Sequence, residues 1–227
     1  MITIYDLLEW IPKTKRQTGD LDIVVQFPTA DEAEYKSLKD GLLAVGYRPD
    51  EQMSYRLHSP KKTPGSVNYV DLLIMPSASC SEQEAQRIMG VGSEFAFRGL
   101  EFAFNTAIEL NEHLLLPTPF GLILLKSDSY TADPWKRIRD LADIIEVAIG
   151  LVKTAFHYEL KETWTEIKRN TESKVVIDVL EGLSSENSTH WDIGNAEFEL
   201  KKRGFNDDQL ANEIPFLISA LLEELEN

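Results

Sequence analysis

Two aspartates, Asp20 and Asp22, stand two residues apart at the head of Leu21–Phe27, a run rich in β-branched residues. Residues two apart in a strand share a face, so this spacing sets two carboxylates side by side. Like charges that close repel each other. A divalent cation with a preference for hard oxygen ligands, Mg²⁺ or Mn²⁺, would compensate them. A third acid, Asp71, interrupts the apolar run Val67–Met75. A carboxylate flanked by Tyr69, Val70, Leu72 and Leu73 is expensive to bury unpaired. If the two runs form neighbouring strands, three carboxylates gather. Such a set can hold metal for phosphoryl or nucleotidyl transfer. Each acid also has a plainer reading: D-x-D at a strand start suits a solvated turn, and a lone Asp in an apolar strand suits a loop cap or a sheet edge.

Several elements must position these residues. Ile2–Trp10 has helical spacing that Pro12 ends. Leu21–Phe27 and Val67–Met75 are the two strong strands, closed by Pro28 and Pro76. Between them the pattern predicts a helix over Asp31–Val45 with Gly46 beyond its end. A half-buried strand over Met53–His58 and a turn-rich loop over 59–66 follow. Ser81–Met89 is a predicted helix, with Ser81 as cap and Glu84 in the capping-box position. Leu100–Ala107 reads as a strand, and Thr118–Ser129 contains a buried helix. Pro134–Ala148 is amphipathic, with Pro134 in its first turn. Further helices are expected over 152–168, 171–182, 194–203 and 207–225, the last two hinged at Gly204, Phe205 and Asn206. The organisation is therefore α+β: a short mixed sheet with flanking helices in residues 1–128, then a helical C-terminal region, 129–227.

Bulk properties narrow the classes. The chain has 227 residues, of which 43% are hydrophobic and 27% charged, proportions that suit an ordinary folded core. No apolar run approaches the roughly 18 residues of a membrane span. Met1–Trp10 lacks the basic and apolar regions of a signal peptide. The one cysteine, Cys80, has no partner for an internal disulfide and reads as a loop or helix-start residue. These features predict a cytoplasmic protein without a membrane partner. The net charge of −15 weighs against nonspecific nucleic-acid binding. Local basic clusters exist at Lys61–Lys62, at Lys136, Arg137 and Arg139, and at Lys201–Arg203. His58, His113, His157 and His190 show no ligand spacing and read as core or surface residues. Trp135, Trp164 and Trp191 read as helix-packing residues.

The segment Arg16–Val25 (RQTGDLDIVV) resembles the R-x-T-x-D-h-D-h signature of the polymerase-beta-like nucleotidyltransferases, h being aliphatic. It is most similar to the branch that includes the abortive-infection nucleotidyltransferase toxins of bacteria. The third acid, in NYVDLLIMPS, matches the family's aspartate-bearing strand. Downstream, LILLKSDSY and KRIRDLADII resemble an L-x-x-L-K … K-D-x-x-D pattern. The resemblance covers roughly residues 14–150.

The resemblance implies a nucleotidyltransferase fold and transfer of a nucleoside monophosphate from an NTP to an acceptor hydroxyl. The acceptor stays open between a protein, a tRNA end and a small molecule. Asp20, Asp22 and Asp71 would be the catalytic metal ligands for Mg²⁺ or Mn²⁺, with Asp71 helping to activate the hydroxyl. Lys126, Arg139 and Asp140 would serve the nucleotide, Arg139 standing where the family usually has Lys. Asp140 and Asp143, three apart on a helix, would share a face. An antitoxin, or a second copy of the chain, is a partner the resemblance suggests. The family also carries a Gly-Gly or Gly-Ser turn before the first acid pair, whose amides cradle the triphosphate. The 17 residues before Thr18 contain no glycine, and Gly90, Gly92 and Ser93 stand in the wrong place for that turn. Arg98 and Gly99 bear a weak likeness to a family loop. The alternative expectation is a degenerate, non-catalytic binding or regulatory protein of the same fold.

Overall fold

The computed structural model describes residues 20–26, 32–60, 68–92, 97, 99–111, 114–153, 160–185 and 190–227. The expected helix at Ile2–Trp10, the signature residues Arg16, Thr18 and Gly19, most of the 59–66 loop and Lys61–Lys62 lie outside them, as do Ser93, Arg98, His113 and His157. The protein is α+β and divides into two compact units, one within residues 17–97 and one within residues 98–227.

In the first unit, β1 (Asp20–Val25) leads to α1 (Glu32–Ala44), then β2 (Arg48–Pro49), β3 (Arg56–His58), β4 (Tyr69–Ile74) and α2 (Glu82–Met89). The strands form one mixed sheet in the order β1-β4-β3-β2. β1 and β4 run parallel, whereas β4–β3 and β3–β2 are antiparallel. The short mixed sheet expected from the sequence is present. Alternation sorts its residues: Leu57, Val70, Leu72 and Ile74 are buried with Tyr35, Ala85 and Met89 from the helices. The Tyr35 hydroxyl donates to Leu72 O at 3.0 Å and ties α1 to the central strand. Burial pushes this phenol up to about 12. α2 begins as its sequence predicts: the Ser81 hydroxyl accepts from Glu84 N, and the Glu84 carboxylate accepts from Ser81 N at 2.9 Å.

In the second unit, α3 (Leu100–Asn105) precedes a hairpin of β5 (Ile108–Asn111) and β6 (Leu114–Leu116). The helices α4 (Pro119–Ala132), α5 (Ile138–Lys153), α6 (Lys161–Arg169), α7 (Val175–Ser184), α8 (Ile193–Lys202) and α9 (Ile214–Glu226) follow. One hydrophobic core joins them, with Phe120, Ile144, Trp164, Leu180 and Ile218 at its centre. α5 is the central helix, buried along nearly its whole length. A π-helical turn, Gln209–Glu213, precedes α9. Pro215 lacks an N–H and its ring crowds the carbonyl four residues back; the wider turn accommodates it. No helix among the described residues is long and apolar enough to cross a membrane.

Three expectations are corrected. Leu100–Asn105 is helix, not strand. Short apolar runs carry no decisive period, and here Phe102 and Ala103 bury together, with Ala103 packed on α4 at Gly121. The strand pair follows that helix, at Ile108–Leu116. Pro134 precedes α5 instead of opening it, because Asp133 O accepts from Lys136 N and Arg137 N and closes a separate turn. Trp135, on that turn, is 92% exposed and packs no helix, while Trp164 and Trp191 are buried as expected.

Candidate functional site

Register brings Asp22 and Asp71 together. In the parallel β1–β4 pair Asp22 stands opposite Asp71 and Asp20 opposite Tyr69. In the antiparallel β4–β3 pair Arg56 stands opposite Asp71 and His58 opposite Tyr69. One sheet face therefore carries two cross-strand rows, Asp22–Asp71–Arg56 and a backbone row through Asp20, Tyr69 and His58. The apolar Val70, Leu72 and Ile74 alternate onto the other face.

Asp71 is buried, and Arg56 answers its charge. Arg56 Nε donates to Asp71 Oδ1 and Nη2 to Oδ2, each at 2.7 Å. This two-point, charge-assisted geometry is the strongest that a carboxylate accepts from a side chain. The Asp71 bonds raise Arg56 above its ordinary value. The guanidinium also lies 3.9 Å over the Tyr69 ring. At the edge, His58 Nε2 meets Asp50 Oδ2 at 2.7 Å, and the His58 ring stands edge-on to Tyr69. Asp50 also accepts from Gln52 N and Met53 N. The Gln52 N–H, His58 and the Met53 N–H hold its carboxyl down at about 2.

The donor chemistry fits a hard divalent cation. Asp22 is exposed and faces Asp71 across the strand pair. Both Asp71 oxygens are engaged by Arg56, so a cation on them would compete with the guanidinium. The third donor would be Asp20, whose side chain lies outside the described residues. Among the described residues no group of three or more His, Cys, Asp and Glu side chains is gathered for a metal.

The other candidates fall in the 98–227 unit. Lys126 Nζ sits 2.7 Å from Asp140 Oδ1 and 3.0 Å from Asp143 Oδ2. Burial pulls its ammonium down, but the charges of Asp143 and Asp140 outweigh burial and hold it above its ordinary value. Ser129 Oγ donates to Asp140 Oδ2 at 2.9 Å. Arg203 continues the network to Asp143 at 2.9 Å and Glu146 at 2.6 Å. Arg139 points elsewhere: it is exposed, with Nε 3.8 Å from Glu199 Oε2.

Asp22 is thus brought to Asp71, and Lys126 to Asp140, while Arg139 joins neither group. The shared face of Asp140 and Asp143 holds, with both on Lys126. The two downstream basic clusters are neutralised: Lys136 pairs with Asp133, Arg137 with Asp140, Lys201 with Glu197 and Asp207, and Lys202 with Glu199. Sequence reasoning missed Arg56. Its only signal is its place in Met53–His58, where strand alternation puts Arg56 and His58 on one face. No protein-family model matches the chain, and no curated protein or solved structure matches it.

Proposed function

We propose that the protein is a metal-dependent nucleotidyltransferase whose centre is the carboxylate face of Asp20, Asp22 and Asp71. The observation that carries this reading is the Asp22–Asp71 pairing on adjacent parallel strands. Two acids 49 positions apart in sequence thereby share a polar face whose reverse is apolar core. In the reaction the acceptor hydroxyl oxygen bonds to the α-phosphorus of the NTP, the bond to the β-phosphate oxygen breaks, and pyrophosphate leaves. A bound Mg²⁺ or Mn²⁺ supplies neutralisation of the triphosphate and acidification of the hydroxyl. Asp20, Asp22 and Asp71 would hold the cation, and Asp71 would also orient the hydroxyl and receive its proton. Lys126 is held by two carboxylates and Arg139 is paired to Glu199, so the reading rests on the carboxylate face alone. The net charge of −15 and the neutralised basic clusters favour a protein or small-molecule acceptor over tRNA.

One observation favours a second reading. Arg56 pairs with both Asp71 oxygens, an ion pair that would serve a non-catalytic binding protein of this fold. Titration calorimetry with Mn²⁺ and NTPs separates the two, on the wild type and on Asp20→Ala/Asp22→Ala. Metal-dependent nucleotide binding that the double variant loses supports the transferase. Metal binding without nucleotide binding supports the non-catalytic protein. Binding of neither removes the metal-site assignment.

A further inference from the structure

Arg56 occupies a singular place on the carboxylate face. It takes both oxygens of Asp71 at 2.7 Å, and its side chain is 21% exposed against 10% for Asp71. Its other support is the Tyr69 ring, 3.9 Å from the guanidinium carbon. Tyr69 neighbours Asp71 along β4 at the same side-chain parity, so the platform and the carboxylate belong to one rigid strand. The guanidinium is therefore held on this face by stacking as well as by charge.

A divalent cation at Asp22 and Asp71 would meet that guanidinium at close range. Two positive centres on one carboxylate repel strongly where solvent is partly excluded. Arginine cannot relieve the conflict by releasing a proton, because it stays charged at any accessible pH. Either the cation binds weakly or the guanidinium turns from Asp71 to another anion. Its planar N–H edge matches a phosphate as well as it matches a carboxylate. The triphosphate of the proposed substrate would bring such an anion to this face.

We propose that Arg56 is the resident counterion of this site: it holds Asp71 in the metal-free protein, yields those oxygens when a divalent cation arrives, and turns its N–H edge to the phosphates of the nucleotide. The inference rests on the metal-site reading above. It adds a thermodynamic consequence: cation and polyphosphate strengthen each other's binding, and Arg56 carries part of that coupling. Cation alone must displace Arg56 without recompense, whereas cation with polyphosphate gives the guanidinium a new partner.

The test uses the full chain with Mn²⁺ alone and with inorganic tripolyphosphate at fixed free Mn²⁺, which removes any contribution from a base. Wild type, Arg56→Met, Arg56→Lys and Asp71→Asn are compared by calorimetry and by the rise in Tm on adding Mn²⁺. Arg56→Met is expected to bind Mn²⁺ alone about tenfold tighter than wild type, the scale of one charge-assisted hydrogen bond removed from competition. It is expected to bind tripolyphosphate about tenfold more weakly. Arg56→Lys falls between, and Asp71→Asn loses the Mn²⁺ response. If Arg56→Met folds poorly without metal, Mn²⁺ should raise its Tm more than it raises that of wild type, which a purely structural arginine would not produce. Wild type binding Mn²⁺ as tightly as Arg56→Met, or unchanged tripolyphosphate affinity in Arg56→Met, overturns the role of Arg56 and leaves the metal site standing. Absence of Mn²⁺ binding in wild type and Arg56→Met alike overturns the metal site itself.

Discussion

Arg203 Nη2 lies 2.9 Å from Asp143 Oδ1, and both side chains are nearly closed to water, at 7% and 0% exposure. The same guanidinium reaches Glu146 at 2.6 Å, so α5 is joined to the residue that caps α8 by a buried ion network. Taking charges out of water is costly, and the network is stable only while each has its partner. Arg203→Met should therefore lower stability by about 3–5 kcal/mol, the range for a buried pair that loses one member. Asp143→Asn should cost less, since Arg203 keeps Glu146 and Lys126 keeps Asp140. Urea unfolding followed by tryptophan fluorescence measures both. Equal losses in the two variants would show that the charges do not act as one network.

The extent to which such contacts can be read in advance depends on how local they are. β1 and β4 announce themselves through β-branched runs, and α2 through its capping box, because the relevant partners lie within a few residues. The i, i+3 spacing of Asp140 and Asp143 likewise anticipates their shared face. Arg56 is different. Its partner is 15 positions away, and only the β3–β4 register decides which residue it meets. Arg203 looks like one member of a basic surface run, yet packing around α5 turns it inward. Leu100–Asn105 has an apolar pattern compatible with strand or helix, and its packing on Gly121 decides in favour of helix.

Asp50 gives the protein an acid-sensitive contact at the sheet edge. Its folded carboxyl is held at about 2, below the ordinary 3.8, by the Gln52 N–H, His58 and the Met53 N–H. A depressed carboxyl stabilises the fold above its unfolded pKa, and this contribution disappears as pH falls through its folded pKa. Wild type should exceed Asp50→Asn in stability by its full margin at about pH 5. That margin should close between about pH 4 and pH 2. Circular dichroism in urea at a series of pH values measures it. A margin independent of pH would assign the contact to packing instead of charge.

Two glycines should respond in opposite directions. Gly99 has φ 74°, and a Cβ there would lie 2.8 Å from Leu124 Cγ in the buried face of α4. Gly99→Ala combines left-handed strain with overpacking and should cost about 2–4 kcal/mol. Gly41 is exposed in the interior of α1, and a Cβ there meets nothing within 4 Å. Gly41→Ala should add about 0.5–1 kcal/mol by restricting the unfolded chain. Thermal unfolding of the two variants checks both signs. A neutral Gly99→Ala would show that Leu124 moves aside freely.

Trp164 and Trp135 test the core assignment directly. Trp164 is 1% exposed, and its ring lies 5.6 Å from that of Phe120. Its Nε1–H donates to Glu226 Oε1 at 2.9 Å, while Lys168 holds the other oxygen of Glu226 at 2.9 Å. One side chain thus fills the core and ties α6 to the end of α9. Trp164→Ala should cost about 3–5 kcal/mol. Trp164→Phe should cost less, since it keeps most of the packing and loses the bond to Glu226. Trp135 is 92% exposed and fills no space that its loss would empty. Trp135→Ala should leave stability within about 0.5 kcal/mol of wild type, and Trp135→Phe should remove a readily quenched part of the emission in acrylamide. A Trp135→Ala variant as unstable as Trp164→Ala would mean that the turn at Pro134–Lys136 packs against the protein in solution.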